Sequence, residues 1–431
     1  MAERDDRRMT STAPGVAATS WIDRDEPDWM VALRRKAYED FSRMSWPTPQ
    51  EEEWRRTDIT MLDFSAFAFK AAESGAAGEG VSLPEGVAGL IRFAGRRLQH
   101  AALRPDLKEK GVRLLSLSDA IREHNSAIEK AFQASIAHSA NRVESWHYSQ
   151  WTHGVFLSVP RFLEIAEPFV LEFEESGRAE FSAPHVVVTL DAGARAVVVQ
   201  RLKNGAGDEI LCNEGTDLSV GEAAGLEFIR IEDLSYESRY FNHSSARIER
   251  NAAFKHLEVV FGTKLYKSRL EAAIVGPGAD VDLNGIYFAH KRQHIDIGTI
   301  QRHDAPNANS RAFYKGAVRQ KARTIYRGLI EVAQVASQTD AYQTNKNLIL
   351  NDGARSDSLP MLKINTNDVK CSHGSTTGKL DELELFYLQT RGFSRAEAER
   401  MLISAFFDQV IEQSHPSVRE ELRATIQERL G

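Results

Sequence analysis

Cysteine is almost absent: Cys212 and Cys371 are the two in 431 residues. So few exclude a disulfide framework, and they exclude a zinc or iron–sulfur site built from four cysteines of one chain. A site completed by a second chain stays open. No uninterrupted apolar stretch of about 18 residues occurs, since the most apolar region, Val186–Val199, is broken by Asp191 and Arg195. Behind Met1 the chain continues Ala-Glu-Arg-Asp-Asp-Arg-Arg with no apolar core of a secretory signal, so a cytoplasmic protein is expected. There is no Gly-Lys-Ser/Thr phosphate loop, no Gly-x-Gly-x-x-Gly opening a helix and no Gly-x-Ser-x-Gly elbow, which argues against nucleotide hydrolysis or hydride transfer by this chain. Neither sign of charge dominates: 54 Lys and Arg stand against 61 Asp and Glu, a net −7. Wholesale binding to nucleic acid or an anionic membrane is therefore not expected.

The chain divides by texture. Residues 1–20 are small and polar without a period and read as a tail. From 21 to 150 the pattern is mostly helical: Asp28-Trp-Met-Val-Ala-Leu carries a helical stripe, Thr48-Pro-Gln-Glu51 has the form of a capping box, and Leu117–Ala137 is periodic again. A Gly/Ala/Glu/Ser stretch at 71–88 reads as a linker. From 151 to 378 the chain becomes a succession of short β-branched and aromatic runs, such as His185-Val-Val-Val-Thr-Leu, Leu257-Glu-Val-Val-Phe and His294-Ile-Asp-Ile. Gly and Asn punctuate them, no helical pattern separates the later ones, and neither Asn-Gly hairpins nor a blade-length repeat appears. A mainly β chain with a parallel β-solenoid core is the expectation. Residues 379–431 return to helix: Leu380 to Gly392 ends on a glycine suited to a left-handed cap, Ser394-Arg-Ala-Glu397 is a capping box, and Ser417 opens a third helix. About fifty residues form little core alone, so this unit should dock on something.

Three constellations could carry chemistry. His290, His294 and His303, with Asp296 and Asp304, either converge on a metal or are ordinary strand residues. Arg311, Lys315, Arg319, Lys321, Arg323 and Arg327 form a run that is either a phosphate-binding stripe or a solvated face. The sharpest is Asp368-Val-Lys-Cys-Ser-His-Gly-Ser-Thr-Thr-Gly378. Cys371 and His373 stand two apart, so on a strand both side chains take one face, a thiol beside an imidazole. Such a pair suits a soft or borderline metal but supplies too few ligands for a closed site. A Cys–His nucleophile, or a buried Cys and a surface His without function, are the other readings.

Gln293-His-Ile-Asp, Ala333-Gln-Val-Ala-Ser-Gln-Thr-Asp-Ala-Tyr-Gln-Thr-Asn-Lys-Asn-Leu-Ile-Leu, the Lys-Cys-Ser-His-Gly run and Leu385-Phe-Tyr-Leu-Gln-Thr-Arg-Gly, in order from about 284 to 410, resemble the SufB/SufD family of the Suf iron–sulfur cluster assembly system. Lys-Cys-Ser-His-Gly points to its SufD branch, and Glu52-Glu-Trp-Arg-Arg-Thr-Asp58 resembles the family's N-terminal segment. Lys363 and Asn365-Thr-Asn depart from the family pattern without touching the Cys–His pair. The resemblance implies a right-handed parallel β-helix between two helical domains, in a non-catalytic scaffold subunit. It implies pairing with SufB through the end of the β-helix, and docking of the ATPase SufC on the C-terminal helices, with Leu385, Phe386, Tyr387, Arg391, Gly392 and Phe406 as the docking residues. It implies His373, with Cys371 second, as ligands to a transient iron–sulfur cluster shared with SufB. Whether the complex takes a reduced flavin, and whether the isolated chain forms a homodimer, are left open. The alternatives are a SufB-like paralogue, a purely structural SufB partner, and a polysaccharide-active β-helix enzyme, which the missing secretion signal disfavours.

Overall fold

The computed structural model describes residues 26–69, 83–123 and 126–430, and the tail 1–20 and most of the 71–88 linker lie outside the described residues. Most of the chain from His153 to Gly378 winds as a parallel β-solenoid of about eight turns. Successive strands fall alternately into two sheets, one of eleven strands and one of ten. Leu265 pairs with His294 and His294 with Arg323, a spacing of 29 residues (294 − 265, 323 − 294) for one turn. The corners stack as well. Asn251 and Asn307 adopt the left-handed conformation that asparagine tolerates, and their N–H groups donate to Pro277 O and Ser337 O of the next turn.

Period-two alternation decides what faces the lumen. Ile295 and Ile297 point inward from one strand, while Asp296 between them points out to Lys267 and Arg327. Most of the lumen is one continuous apolar core. At its centre lies a polar knot: Arg230 donates to Ser244 Oγ at 2.9 Å and to Glu258 Oε1 at 3.1 Å, Tyr266 donates to Glu258 at 2.6 Å, and Tyr240 and Gln200 donate to Glu214 at 2.7 and 2.8 Å. All of these groups are fully buried.

Helical units cover the two outer faces. Ile403, Phe407, Val410, Val418, Leu422 and Ile426 of the C-terminal helices pack on Ile229, Leu257, Val259, Ile286 and Phe288 of the ten-stranded sheet. This is the docking that the unit's size requires. On the other face, Trp146 stacks on Phe181 at 4.4 Å, and Trp54 and Phe64 pack against Phe241. Beneath them His147 Nε2 meets His185 Nδ1 at 2.8 Å and His185 Nε2 faces Asp217 at 3.1 Å. A Cβ on Gly215 would lie 2.3 Å from His147 Nε2, so only glycine admits this contact.

The N-terminal third differs from expectation in three places. At Thr48 the capping contact forms, Thr48 N–H donating to Glu51 Oε1 at 3.0 Å, yet the chain runs on as turns because Trp54 and Thr57 are drawn onto the eleven-stranded sheet. Leu117–Ala137 is two helices, Leu117–Arg122 and Ser126–Ala137. Four strands also occur among these helices, Ala68–Phe69, Gly89–Ala94, Arg97–Leu103 and Arg113–Ser116, and they belong to the solenoid sheets rather than to a helical unit. The helices of the C-terminal unit start and stop where read, with the Ser394–Glu397 capping box formed and Gly392 at φ +95°.

Two expectations concern stability. Arg230→Met strands Glu258 and Glu214 without their cation and should cost about 3–5 kcal/mol in urea unfolding, the range for breaking one side of a buried pair. Burial, reinforced by the neighbouring imidazoles, holds His147 and His243 well below 6.5. The unfolded chain then binds more protons than the folded one below that pH, so stability is lost as pH falls through 6.5. The urea midpoint should drop from pH 7 to pH 5, and drop less in His243→Gln.

Candidate functional site at the open end of the solenoid

The two ends of the solenoid are built differently. At the first, Arg97–Leu103 and Arg113–Ser116 run antiparallel to their neighbours, and Leu107, Val112 and Leu114 plug the lumen. At the last, strands Arg355–Ile364 and Val369–Gly378 are paired in register along one edge only. Each leaves a row of backbone N–H and C=O groups without strand partners, which is a template for another chain. Leu362 and Ile364 on this coil are 40% and 38% exposed.

Cys371 and His373 lie on the last strand, two residues apart and on one face as alternation requires. That face is the lumen side, for Val369 and Cys371 pack against the cluster of Ile330, Val332, Ala336 and Ala341. The two side chains differ in setting. Cys371 is half-buried, and desolvation, with Asp340 nearby, pushes its thiol up, so it is protonated at neutral pH. The imidazole of His373 is exposed and has no hydrogen-bond partner among the described residues. The thiol must lose a proton before it can ligate, and the exposed imidazole is the more accessible of the two donors. Among the described residues no group of three or more His, Cys, Asp or Glu side chains could hold a metal ion, so Cys371 and His373 are two donors without a third beside them there.

The other constellations disperse. His294 faces outward and meets Thr57 Oγ1 at 2.9 Å, His303 faces inward to Ser310 Oγ at 2.8 Å, and His290 sits on a corner against Phe288. The three do not converge, and Asp296 and Asp304 are engaged by Arg327 and Arg302. The basic run is divided among faces. Arg311 pairs with Asp340, Lys315 donates to Phe406 O, Arg319 to Arg429 O, while Arg323 and Arg327 pair with Asp357 and Asp296 on the other sheet. Lys321 is exposed, and no stripe results.

In the C-terminal unit Leu385 is fully buried and Phe406 is half-buried against the solenoid, so these two hold the helices rather than face outward. Phe386 and Tyr387 are exposed, joined by Leu383, Phe393 and Met401, which sequence reading did not single out. Arg391 stands 5.0 Å over the Tyr387 ring and donates to its hydroxyl at 3.0 Å, and Gly392 closes the helix. The patch is apolar with a cationic rim. Leu383, which was missed, carries a signal in the sequence, since it lies three residues before Phe386 on the same helix.

A two-sheet parallel β-solenoid with helical units on both faces and one unpaired end defines the class of protein. Residues 173–406 match the family model described as SUF system FeS cluster assembly, SufBD core domain. An iron–sulfur cluster assembly SufBD family protein of Mycobacterium tuberculosis is 30% identical over 299 residues, which cover 67% of this chain and 74% of the relative. The iron–sulfur cluster assembly protein SufD of Escherichia coli is 28% identical over 396 residues, covering 90% and 89%. SufD of Bacillus subtilis is 24% identical over 421, covering 94% and 95%. The chain belongs to the SufBD family.

The two kinds of apolar residue in the C-terminal unit should separate experimentally. Leu385→Ala is expected to destabilise the unit by about 2–5 kcal/mol, whereas Phe386→Ala and Tyr387→Ala should change stability by less than about 0.5 kcal/mol. Thermal unfolding of the three variants checks this.

Proposed function

We propose that this chain works in iron–sulfur cluster assembly as a non-catalytic scaffold subunit whose open solenoid end pairs with a SufB-type chain. The carrying observation is the coincidence on one strand of an unpaired backbone edge with an exposed imidazole and a half-buried thiol. An added strand would satisfy the backbone groups and bring its own side chains to the lumen face beside His373 and Cys371, supplying further ligands to complete a site. The cluster is cargo, held while it is built and then released. His373 is its first ligand from this side; Cys371 joins only when a metal or base takes its proton. The reading extends to a SufC-type ATPase on the patch of Leu383, Phe386, Tyr387, Phe393 and Met401. Exposed aromatic and aliphatic side chains of this kind mark a protein interface. Without a paralogue, the same edge suits a second copy of the chain. Among the described residues no helix is long and apolar enough to cross a membrane, in keeping with a soluble assembly.

The test is co-expression of the tagged chain with SufB and SufC of its host, anaerobic purification, and assay of mass, iron and sulfide. A ternary complex should form, keep its mass in His373→Ala, and lose most of its iron there, with a smaller loss in Cys371→Ala. Unchanged iron in His373→Ala would remove the ligand role, and failure to form a complex would remove the scaffold reading. Phe386→Asp should release SufC while leaving SufB bound.

A further inference from the structure

Directly beneath His373 the lumen is bridged by one side chain. Gln343, on the preceding coil of the same sheet, is the register partner of His373, as Ala341 is of Cys371, and it is 1% exposed. Its carboxamide crosses to the opposite sheet, where Nε2 donates to Gly328 O at 3.1 Å and to Met361 O at 3.3 Å. Two carbonyl oxygens require the NH2 group to face them, so the chemistry fixes which way the amide points. The remaining oxygen, Oε1, is buried and accepts from nothing. A Cβ on Gly328 would lie 1.9 Å from it, so glycine at 328 is what lets the carboxamide lie there. A buried acceptor without a donor costs about 1–3 kcal/mol and calls for an explanation.

In a parallel ladder, side chains on one face of adjacent strands are about 4.8 Å apart, so a turn of the exposed His373 ring toward the lumen is what brings a ring N–H to this oxygen. We propose that Gln343 is the positioning residue of His373: when the ring turns inward, the fixed side-chain oxygen accepts one ring N–H and leaves the other ring nitrogen, with its lone pair, turned toward the partner edge. Histidine ligands take such a hydrogen bond to set their tautomer and orientation and to raise their basicity. The inference deepens the proposed function and rests on His373 acting as a ligand. Gln343 itself touches no cargo.

The full-length chain labelled with 15N-histidine, metal-free, reports the His373 tautomer through long-range proton–nitrogen correlations, the signal being assigned by its loss in His373→Ala. One tautomer should dominate in the parent chain. It should become a mixture in Gln343→Leu, which removes the acceptor, and in Gly328→Ala, which displaces it without touching Gln343. In the co-expressed complex, iron retained should fall about tenfold in both variants, with complex mass unchanged. Identical ring-nitrogen shifts in the parent and both variants would overturn the inference. Should Gln343→Leu fail to fold, Gly328→Ala decides. If His373→Ala keeps its iron the ligand reading falls, and the tautomer measurement still decides whether Gln343 orients the ring.

Discussion

Parallel pairing in register, coil upon coil, is the constraint on which the rest of the molecule depends. Every backbone group of an inner coil is satisfied by the coils before and after it, so each coil is incomplete without both neighbours. Register then fixes which side chains stack. Tyr240 lies against Tyr266 at 4.9 Å, Gln343 beneath His373, and the corner residues Asn251, Gly278 and Asn307 in a column. A slip of one residue would turn every lumen side chain outward, carrying Glu258 away from Arg230 and Cys371 from its apolar bed. The buried charges at the centre strengthen this, because the bonds from Arg230 to Glu258 and from Tyr240 to Glu214 cross between coils and are satisfied in one register only.

The helical units complete the sheets rather than stand beside them. The outer faces are too apolar to be left in water, and the two units cover opposite faces. The N-terminal segment does more than cover: Thr57 reaches Asp296 and His294, and Arg56 pairs with Asp357 on the penultimate strand at 3.5 Å. The first described segment of the chain thus braces the last coil, whose own edge has no strand to do so. The C-terminal helices lie on the earlier coils of the other sheet, which leaves the final strand uncovered.

Much of this was legible in the sequence for physical reasons. Short β-branched runs with Asn and Gly corners and no intervening helices admit few folds other than a solenoid, and capping residues marked the C-terminal helices. Cys371 and His373 could be placed on one face of one strand because strand alternation needs no tertiary knowledge. What stayed hidden depends on the neighbouring coil. Gly89–Ala94 became a strand by pairing with Phe169–Glu175, and Leu385 and Phe406 lie inward because of what the helices pack upon. His290, His294 and His303 looked like one cluster because closeness in sequence is not closeness in direction once a corner and an alternating strand intervene. Gln343 could not be singled out without the register that sets it under His373.

The contrast between the two ends bears on stoichiometry. A rod with two bare ends would add units head to tail without limit, as open heterologous contacts do. Here the first end turns antiparallel over a plug of leucine and valine, so the two ends do not match and the parallel ladder is not continued head to tail. When the bare end of one such chain meets that of another, both are consumed and nothing remains to extend. The antiparallel turn at the far end of the lumen therefore gives the rod a direction: a parallel strand finds its ladder to continue at the last coil and not at the first.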